Sequence, residues 1–446
     1  MIYLTRERER KLENILYYRE LKKMARDIRQ VLAGLLTGSM LIMLCNMVKR
    51  DHFDPIYVEN LSVQYDLIKV SKQSLVKLSD GTSGGIWREN LSLKPCWRKP
   101  LSTTNEEQAK GYIFLTLTDN PEDHVTQIAG AVVVAKYLGA ILVLPEIKGT
   151  KTGHKRQFGD IYDTERFITS LDGTIKVVKD PPIEESKVNI TNIKVPFMVT
   201  KDFIASKIQP KFKSKGNLMV STDLSPSTMT KAKEIIKKDN VKMDPYACLA
   251  IFGSFELQPE LNQLVNSMIG TLRSLSYNTN GQFVAVDLKV ESLGNLCKGN
   301  VIKTKNCFDP KEIGEFLKKI GYQRHTTIYL TQSGWHSSLD DFRKIFPNTF
   351  TKDAIIPAYE KAKYHITKSS EFEKVIDFQI CIQADVFVPT VSNLFYTNVV
   401  AKRIASGKTE VLDPTQKASS ASSTAAVNYV SPYISKKSHW AYSCFC

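Results

Sequence analysis

Residues 112–144 contain the pattern that most constrains the fold, an apolar strand followed by a helix and a second apolar strand. The run YIFLTLT at 112–118 is typical of a buried strand. Asn120 can then cap a helix whose first turn accommodates Pro121, and Gly139 is positioned to end it. Residues 140–144 (AILVL) predict the next strand, so the segment is predicted to be a β-α-β unit.

The same alternation continues along the chain. Asp163 is predicted to cap a short helix that ends near Leu171. A second series begins near Gly281, with strands predicted at 283–290, 326–331 and 385–388 and helices predicted from 310, at 336–345 and at 394–406. Two such series predict an α/β fold of the GT-B-like type, in which two Rossmann-type domains face each other. We assign them to residues 106–280 and 281–446, with ligands expected at the carboxyl ends of the strands.

An uncharged stretch at residues 31–48 suits a membrane span, because eighteen helical residues extend about 27 Å. Residues 1–30 are rich in arginine and lysine, which favours the cytosolic side for that end. A buried helix or a cleaved signal peptide is the alternative, although no small-residue cleavage site follows. We therefore predict a cytosolic tail (1–30), a transmembrane signal anchor (31–48) and a stem (49–105).

Three N-glycosylation sequons, at Asn60, Asn90 and Asn189, follow this stretch and none precedes it, which agrees with a lumenal body. The eight cysteines include no CxxC pair, which argues against zinc and thioredoxin-like sites. Cys297 and Cys307 are the best local candidates for a disulfide, but cysteines this sparse are equally compatible with reduced, buried thiols.

The formal net charge of +15 suits nucleic acid, an anionic membrane surface or a phosphorylated small molecule. The chain has no zinc-finger spacing, no RNP-like strand and no lysine tail, so nucleic acid is the least supported partner.

Candidate site residues follow the predicted strands. Asp287 and Lys289 share one face at the end of VAVDLKVE, where they either pair with each other or contact a ligand. A fixed lysine there could stabilise a diphosphate leaving group without a metal ion. His124 and Gln127 lie in the first turns after the first strand, where an ordinary capped loop is the alternative.

Asp385, Asn393 and Arg403 suggest a second part of the site. They lie on a strand, at a helix start and on the same helix, an arrangement that could cradle a diphosphate. The alternative is a structural ion pair between Asp385 and Arg403. No Asp-x-Asp triplet is available for a divalent metal, so we predict transfer without metal or cofactor.

Several of these stretches together resemble the plant O-fucosyltransferase-like family. They include FGDIYDTERFITSLDG, VAVDLKVE, TTIYLTQSGWHSSLDDFRKIFPNTFTKDAI and QADVFVPTVSNLFYTNVVAKRIASGKT. The terminal YVSPYISKKSHWAYSCFC resembles the branch of that family linked to mannan synthesis. The resemblance runs from about residue 28 to the end of the chain.

The resemblance implies a GT-B fold, a Golgi membrane location, a GDP-sugar donor and a polysaccharide acceptor. It also implies that Gln127, Asp385, Asn393 and Arg403 bind the nucleotide sugar in the second domain or beside it. Lys289 stands where the family has a phosphate-contacting arginine. The expected function is therefore inverting glycosyl transfer in mannan biosynthesis, with Lys289, Asp287 and His124 as catalytic residues. Two alternatives remain open, a non-catalytic partner of a mannan synthase and a protein O-fucosyltransferase.

Overall fold

The structure is a computed structural model that describes residues 93–97, 111–149, 153–181, 190–225, 242–291, 308–364, 366, 370–416 and 426–446. The predicted tail, the membrane anchor, most of the stem and the asparagines of the three sequons lie outside these residues, as do Cys297 and Cys307. Across the part that is described, no helix combines the length and apolarity that a membrane crossing requires.

Within the described residues, the first sheet has seven strands and is built around β1. The order β6-β7-β1-β2-β5 is parallel throughout, and β3 pairs with the end of β1 before turning back antiparallel into β4. These strands are β1 (Tyr112–Leu117), β2 (Ile141–Val143), β3 (Glu146–Lys148), β4 (Lys155–Arg156), β5 (Val177–Val178), β6 (Thr191–Val195) and β7 (Leu218–Thr222).

The second sheet, counted over the same residues, has four parallel strands in the order β10-β9-β8-β11. They are β8 (Phe283–Asp287), β9 (Thr327–Leu330), β10 (Thr349–Phe350) and β11 (Val386–Pro389). Every residue of β8, β9 and β11 is buried, as expected for parallel strands covered on both faces. The two predicted strand–helix series are therefore confirmed as two α/β sheets.

Helices connect and cover these strands. The longer ones are α1 (Pro121–Leu138), α2 (Thr164–Leu171), α3 (Gln209–Lys215), α4 (Pro259–Leu275), α5 (Pro310–Lys319), α6 (Asp340–Ile345), α7 (Ala358–Lys363), α8 (Glu371–Gln383) and α9 (Leu394–Ala405). Short α segments lie at Lys201–Phe203, Pro245–Cys248, Lys352–Ile355 and Pro432–Ser435. Short 3₁₀ helices lie at Phe158–Asp160, Tyr277–Thr279, Ser337–Leu339, Ala426–Tyr429 and Trp440–Cys444, and π-helical turns lie at Ile204–Ile208 and Leu249–Ser254.

Helix α1 begins and ends where the sequence predicts. Pro121 occupies its first turn, and Gly139 ends it in the left-handed conformation at φ 64°, which a residue with a side chain rarely adopts. Asn120 precedes the helix, but its side chain makes no capping hydrogen bond. Because β1 leads directly into α1, the start of the helix lies at the carboxyl edge of the first sheet.

One hydrophobic core extends from the first sheet into the second. It includes Ile113 and Val132 from β1 and α1, and also Ala285 and Phe387 from β8 and β11. Helices α8 and α9 both contact α1, so they join the two sheets within one compact unit. A smaller core fills the other face of the second sheet, where Phe342 of α6 packs.

The C-terminal segment returns to the first half of the chain through disulfides. Among described cysteines, Cys96 is bonded to Cys446 and Cys248 to Cys444, whereas Cys381 is a buried free thiol. Residues 93–97 belong to the predicted stem, yet they pack on the body, because Trp97 stacks on Phe252. This part of the predicted stem is therefore attached to the body, and the predicted stem boundary at residue 105 lies outside the described residues.

Candidate functional site

The carboxyl edge of the second sheet gathers polar side chains around Asp287, the last residue of β8. Thr331, which follows β9, donates a hydrogen bond of 3.0 Å from Oγ1 to Asp287 Oδ1. Thr390, which follows β11, donates to the backbone carbonyl of Asp287. Burial raises the pKa of the Asp287 carboxyl. Three neighbouring strands thus end in one polar cluster.

Asp377 of α8 lies beneath this edge and is 1% exposed. Lys352 Nζ lies 2.7 Å from Asp377 Oδ1 and 2.8 Å from Oδ2, and Tyr329 donates a 2.7 Å hydrogen bond to Oδ1. Lys352 also donates to the carbonyl of Thr331 at 2.8 Å. A buried carboxylate is tolerated because a buried ammonium and a phenol satisfy it.

Lys289 lies at the opening of this cluster, two residues after the end of β8. Its Nζ is 3.4 Å from Asp377 Oδ2, and about a third of its side chain, 35%, is exposed. The ammonium also lies 5.9 Å from the ring centroid of Phe395. Burial alone would lower the pKa of Lys289, but the carboxylates of Asp377, Asp287 and Glu122 outweigh it and raise that pKa. The lysine is therefore a stable cation that water can reach.

Glu122, in the first turn of α1, is a site residue that the sequence analysis missed. Burial raises its pKa to about 7, and the ammonium groups of Lys289 and Lys374 only partly oppose this rise. The backbone carbonyl of Glu122 accepts a hydrogen bond from Asn398 of α9, which ties this turn to the second half of the chain. A carboxyl group with a pKa near 7 is suited to accept a proton. The available sequence signal was its place in the first turn of the helix that follows the first β-strand.

Lys374 of α8 fixes the loop that precedes Glu122. Its Nζ lies 2.9 Å from Asp119 Oδ2 and 2.9 Å from Asn120 Oδ1. The two residues of the loop come from the carboxyl edge of the first sheet, and the lysine comes from the second half of the chain. The contact therefore holds the carboxyl edges of both sheets against each other.

Asn393 follows β11, and β11 runs parallel to β8, so Asn393 lies at the same carboxyl edge as Asp287. The side chain of Asn393 is exposed, and its Oδ1 caps α9 by accepting a 2.9 Å hydrogen bond from the Tyr396 amide. Backbone amides in the first turn of a twelve-residue helix attract anions. The sequence prediction brought Asn393 and Lys289 to one edge, and the structure shows both there.

His124 and Gln127 face the interior rather than an opening. His124 is 1% exposed; its Nε2 donates to the Thr118 carbonyl at 2.7 Å, and its Nδ1 accepts from the Tyr162 hydroxyl at 2.6 Å. The carbonyl only accepts, so Nε2 carries a proton, and because burial lowers the pKa of His124 to about 4 the ring is neutral at pH 7. Gln127 is 4% exposed and accepts from the Thr118 amide at 3.2 Å. Their environments support a structural role and give no support to the predicted ligand contacts.

Burial of His124 predicts a pH-dependent stability. Burial lowers the pKa of His124 from 6.5 to about 4, so this contribution is complete above pH 6.5 and is lost as the pH falls through 4. The loss corresponds to about 3 kcal/mol. We expect the stability advantage of the unmodified protein over His124→Gln to shrink by this amount between pH 7 and pH 4, measured by chemical denaturation. The exposed His325→Gln variant is the control, and an advantage that stays constant with pH contradicts the prediction.

Asp385 lies at the wrong end of the second sheet for the predicted nucleotide contact. It precedes β11, and its Oδ2 accepts from the Phe283 amide at 3.0 Å and from Arg273 Nη1 at 3.2 Å. Since Pro389 is the β11 residue paired with Asp287, Asp385 is about 13 Å from the carboxyl edge. Its side chain instead joins the start of β8 to α4.

Arg403 is fully buried and donates to the backbone rather than to an open crevice. Its Nη1 lies 2.6–3.2 Å from three carbonyl oxygens at the end of α8, and its Nη2 lies 2.9 Å from two more, those of Asp385 and Glu410. Burial lowers the pKa of the guanidinium to about 10, so it stays charged. This environment offers no route to the predicted diphosphate contact.

Comparison with known proteins gives the family of the chain. The family model described as GDP-fucose protein O-fucosyltransferase matches residues 123–405. Protein MANNAN SYNTHESIS-RELATED 1 of Arabidopsis thaliana is 47% identical over 428 residues, which cover 94% of this chain and 99% of that protein. Protein MANNAN SYNTHESIS-RELATED of Trigonella foenum-graecum is 43% identical, with the same coverage of both chains.

Among solved structures, POFUT1 in complex with GDP is 14% identical and covers 68% of this chain and 98% of its own, with a TM-score of 0.39. The fucosyltransferase NodZ from Bradyrhizobium is 12% identical and covers 69% and 94%, with a TM-score of 0.40. The assignment therefore rests on the sequence matches, which span nearly the whole chain: it belongs to the O-fucosyltransferase family and, within that family, to the MANNAN SYNTHESIS-RELATED proteins.

Proposed function

We propose that this protein is a glycosyltransferase of mannan biosynthesis that transfers a sugar from a GDP-sugar to a mannan-type polysaccharide. The names of the relatives and of the family support this substrate class. The observation that carries the proposal is that Lys289 and Glu122 both lie against the beginning of α9, where the carboxyl edges of the two sheets meet: Lys289 is 5.9 Å from the centroid of the Phe395 ring, and the Glu122 carbonyl accepts from Asn398. A cation, a proton acceptor and an anion-binding helix end are the groups that such a transfer needs.

Lys289 and the first turn of α9 bind the diphosphate of the donor in this proposal. The accessible ammonium of Lys289 neutralises charge that grows on the leaving diphosphate, and amides near Asn393 donate hydrogen bonds to it. The charge of these groups supplies the stabilisation that a divalent metal gives elsewhere, so we propose a metal-independent reaction. Buried Asp287 helps to fix the charge of Lys289.

Glu122 serves as the general base. It takes the proton of an acceptor hydroxyl while the hydroxyl oxygen bonds to the anomeric carbon of the donor sugar. The bond from that carbon to the phosphate oxygen breaks at the same time, and its electrons leave with GDP. Attack from the face opposite the diphosphate inverts the anomeric configuration. With a pKa of about 7, Glu122 is ionised in a large fraction of molecules at neutral pH, and in the remaining fraction it is neutral and forms no ion pair with Lys289.

The proposed location is the Golgi membrane, as a single-pass type II protein with its catalytic part in the lumen. The disulfides Cys96–Cys446 and Cys248–Cys444 support an oxidising secretory compartment, since such bonds are rare in the cytosol. Residues 31–48 supply the anchor, and Asn60, Asn90 and Asn189 are the proposed glycosylation sites.

A non-catalytic partner of a mannan synthase is the second candidate. The observation that favours it is the engagement of His124, Gln127, Asp385 and Arg403 in structural contacts, which leaves fewer groups for a donor than the family resemblance implies. Such a protein would keep the fold as a scaffold and would not need to bind nucleotide.

Titration of the full-length protein with GDP, GDP-mannose and GDP-fucose distinguishes the two candidates. For a transferase we expect dissociation constants between about 1 µM and 1 mM, the range of typical substrate KM values. Lys289→Ala should weaken GDP binding about tenfold or more, because a charge-assisted contact is lost. The exposed Lys344→Ala variant is the matched control. Failure of all three nucleotides to bind would favour the scaffold, and preference between the two sugars names the donor.

A further inference from the structure

Lys352 is a lysine with almost no access to water, although it lies next to the proposed diphosphate site. It is 2% exposed, and its ammonium contacts both oxygens of Asp377 and the carbonyl of Thr331. Glu373 Oε1 is a further 3.7 Å neighbour. Burying a lysine is costly, and an ion pair of this kind adds little net stability compared with apolar side chains. The reaction proposed above does not use Lys352, so its presence needs another reason.

The two lysines that contact Asp377 do so unequally. Lys352 lies within 2.8 Å of both carboxylate oxygens, whereas Lys289 is 3.4 Å from one of them. Tyr329 adds a third donor on the buried side. Lys352 and Tyr329 therefore satisfy the Asp377 carboxylate from its buried side, and Lys289 makes only a longer contact with it from the accessible side. This geometry leaves the ammonium of Lys289 with donors available to a ligand.

We propose that Lys352 is a positioning residue: by neutralising Asp377 from the buried side, it keeps the ammonium of Lys289 at the opening for an anionic ligand. The inference rests on the proposed diphosphate contact of Lys289. Without Lys352, the bare carboxylate of Asp377 would attract the remaining ammonium in contact with it, which is that of Lys289. Lys289 would then close onto Asp377 as a buried pair and leave the opening.

The test compares Lys352→Met with the double variant Lys352→Met/Asp377→Asn. The single variant keeps the side-chain length but leaves Asp377 uncompensated, and the double variant removes both charges. Lys344→Met, on an exposed lysine of α6, is the matched control. Two quantities are measured on each full-length protein: the dissociation constant of GDP, and the extent of acylation of Lys289 by a small amine reagent, read from peptide masses.

We expect Lys352→Met to weaken GDP binding about tenfold, the size of one lost charge-assisted contact. Acylation of Lys289 should fall in the same variant. The double variant should recover most of both losses, because the carboxylate of Asp377, which lies next to Lys289, is then absent. A purely structural role for Lys352 predicts that stability falls in the single variant and recovers in the double variant, because only the single variant leaves a buried charge unpaired, but that the acylation of Lys289 in the folded protein stays unchanged.

Unchanged GDP affinity and unchanged acylation of Lys289 in Lys352→Met overturn the inference, as does a double variant no better than the single one. If the unmodified protein does not bind GDP, the proposed function fails, whereas acylation of Lys289 still decides the positioning role. Should Lys352→Met not fold, Lys352→Gln keeps a hydrogen-bond donor without the charge, and it must show the same losses for the inference to stand.

Discussion

Glu122→Gln should lower the turnover number by roughly 10²–10⁴-fold, the usual contribution of a general base. Glutamine keeps the shape and the hydrogen-bonding ability of the side chain but cannot accept the proton of the acceptor hydroxyl. Affinity for GDP should not fall, because the ammonium of Lys289 loses a neighbouring carboxylate rather than a ligand. The measurement is steady-state transfer with the donor that the nucleotide titration identifies, together with GDP binding to the same preparation.

The pH dependence separates this role from a structural one. Glu122 is a base only when ionised, so transfer should rise with pH through about 7 and level off above it. Glu122→Gln should lose this rise together with the rate. The isosteric control is Glu315→Gln on the exposed side of α5, which should behave as the unmodified protein. A Glu122→Gln enzyme within a few-fold of full activity, or one that keeps the rise near pH 7, rules out the assignment.

The sequence predicts the sheet edge at which the site lies better than it predicts the residues that form the site. Asp287 and Lys289 follow an apolar run, and the structure shows them at the carboxyl end of a buried parallel strand. Asp385 opens its strand rather than ending it, so its position at the far edge was already implied by the run DVFVPT. Arg403 lies ten residues after Asn393 on one helix, which separates them by about 15 Å. A single crevice could not hold both ends of that helix.

His124 and Glu122 illustrate a different difficulty. They are two residues apart on α1, and such residues point to nearly opposite sides of a helix. Which of the two faces the candidate site depends on the side of α1 that packs against α8 and α9. That packing involves residues more than 240 positions away in the chain. Local periodicity holds no information about it. The disulfides present the same problem, because their cysteines are separated by 350 and 196 residues.

Arg403→Met should lower the free energy of unfolding by about 4 kcal/mol, the cost of breaking a buried charged network. The guanidinium joins the last turn of α8, the residue before β11 and the Glu410 carbonyl, so its removal takes five hydrogen bonds from buried acceptors in three segments. Methionine fills part of the space, which isolates the loss of the hydrogen bonds from the loss of volume. Chemical denaturation of the full-length variant measures the change.

The same variant also decides whether Arg403 contacts the nucleotide. Because the guanidinium lies about 15 Å along α9 from the proposed diphosphate, the folded fraction of Arg403→Met should bind GDP with unchanged affinity. The stability of Arg403→Lys should lie between that of the unmodified protein and that of Arg403→Met. A single ammonium group cannot reach all the carbonyl oxygens that the wider guanidinium contacts. If Arg403→Met were as stable as the unmodified protein but no longer bound GDP, Arg403 would be a nucleotide-binding residue after all. Loss of stability at full affinity would show that the arginine supports the helix from which the site is built.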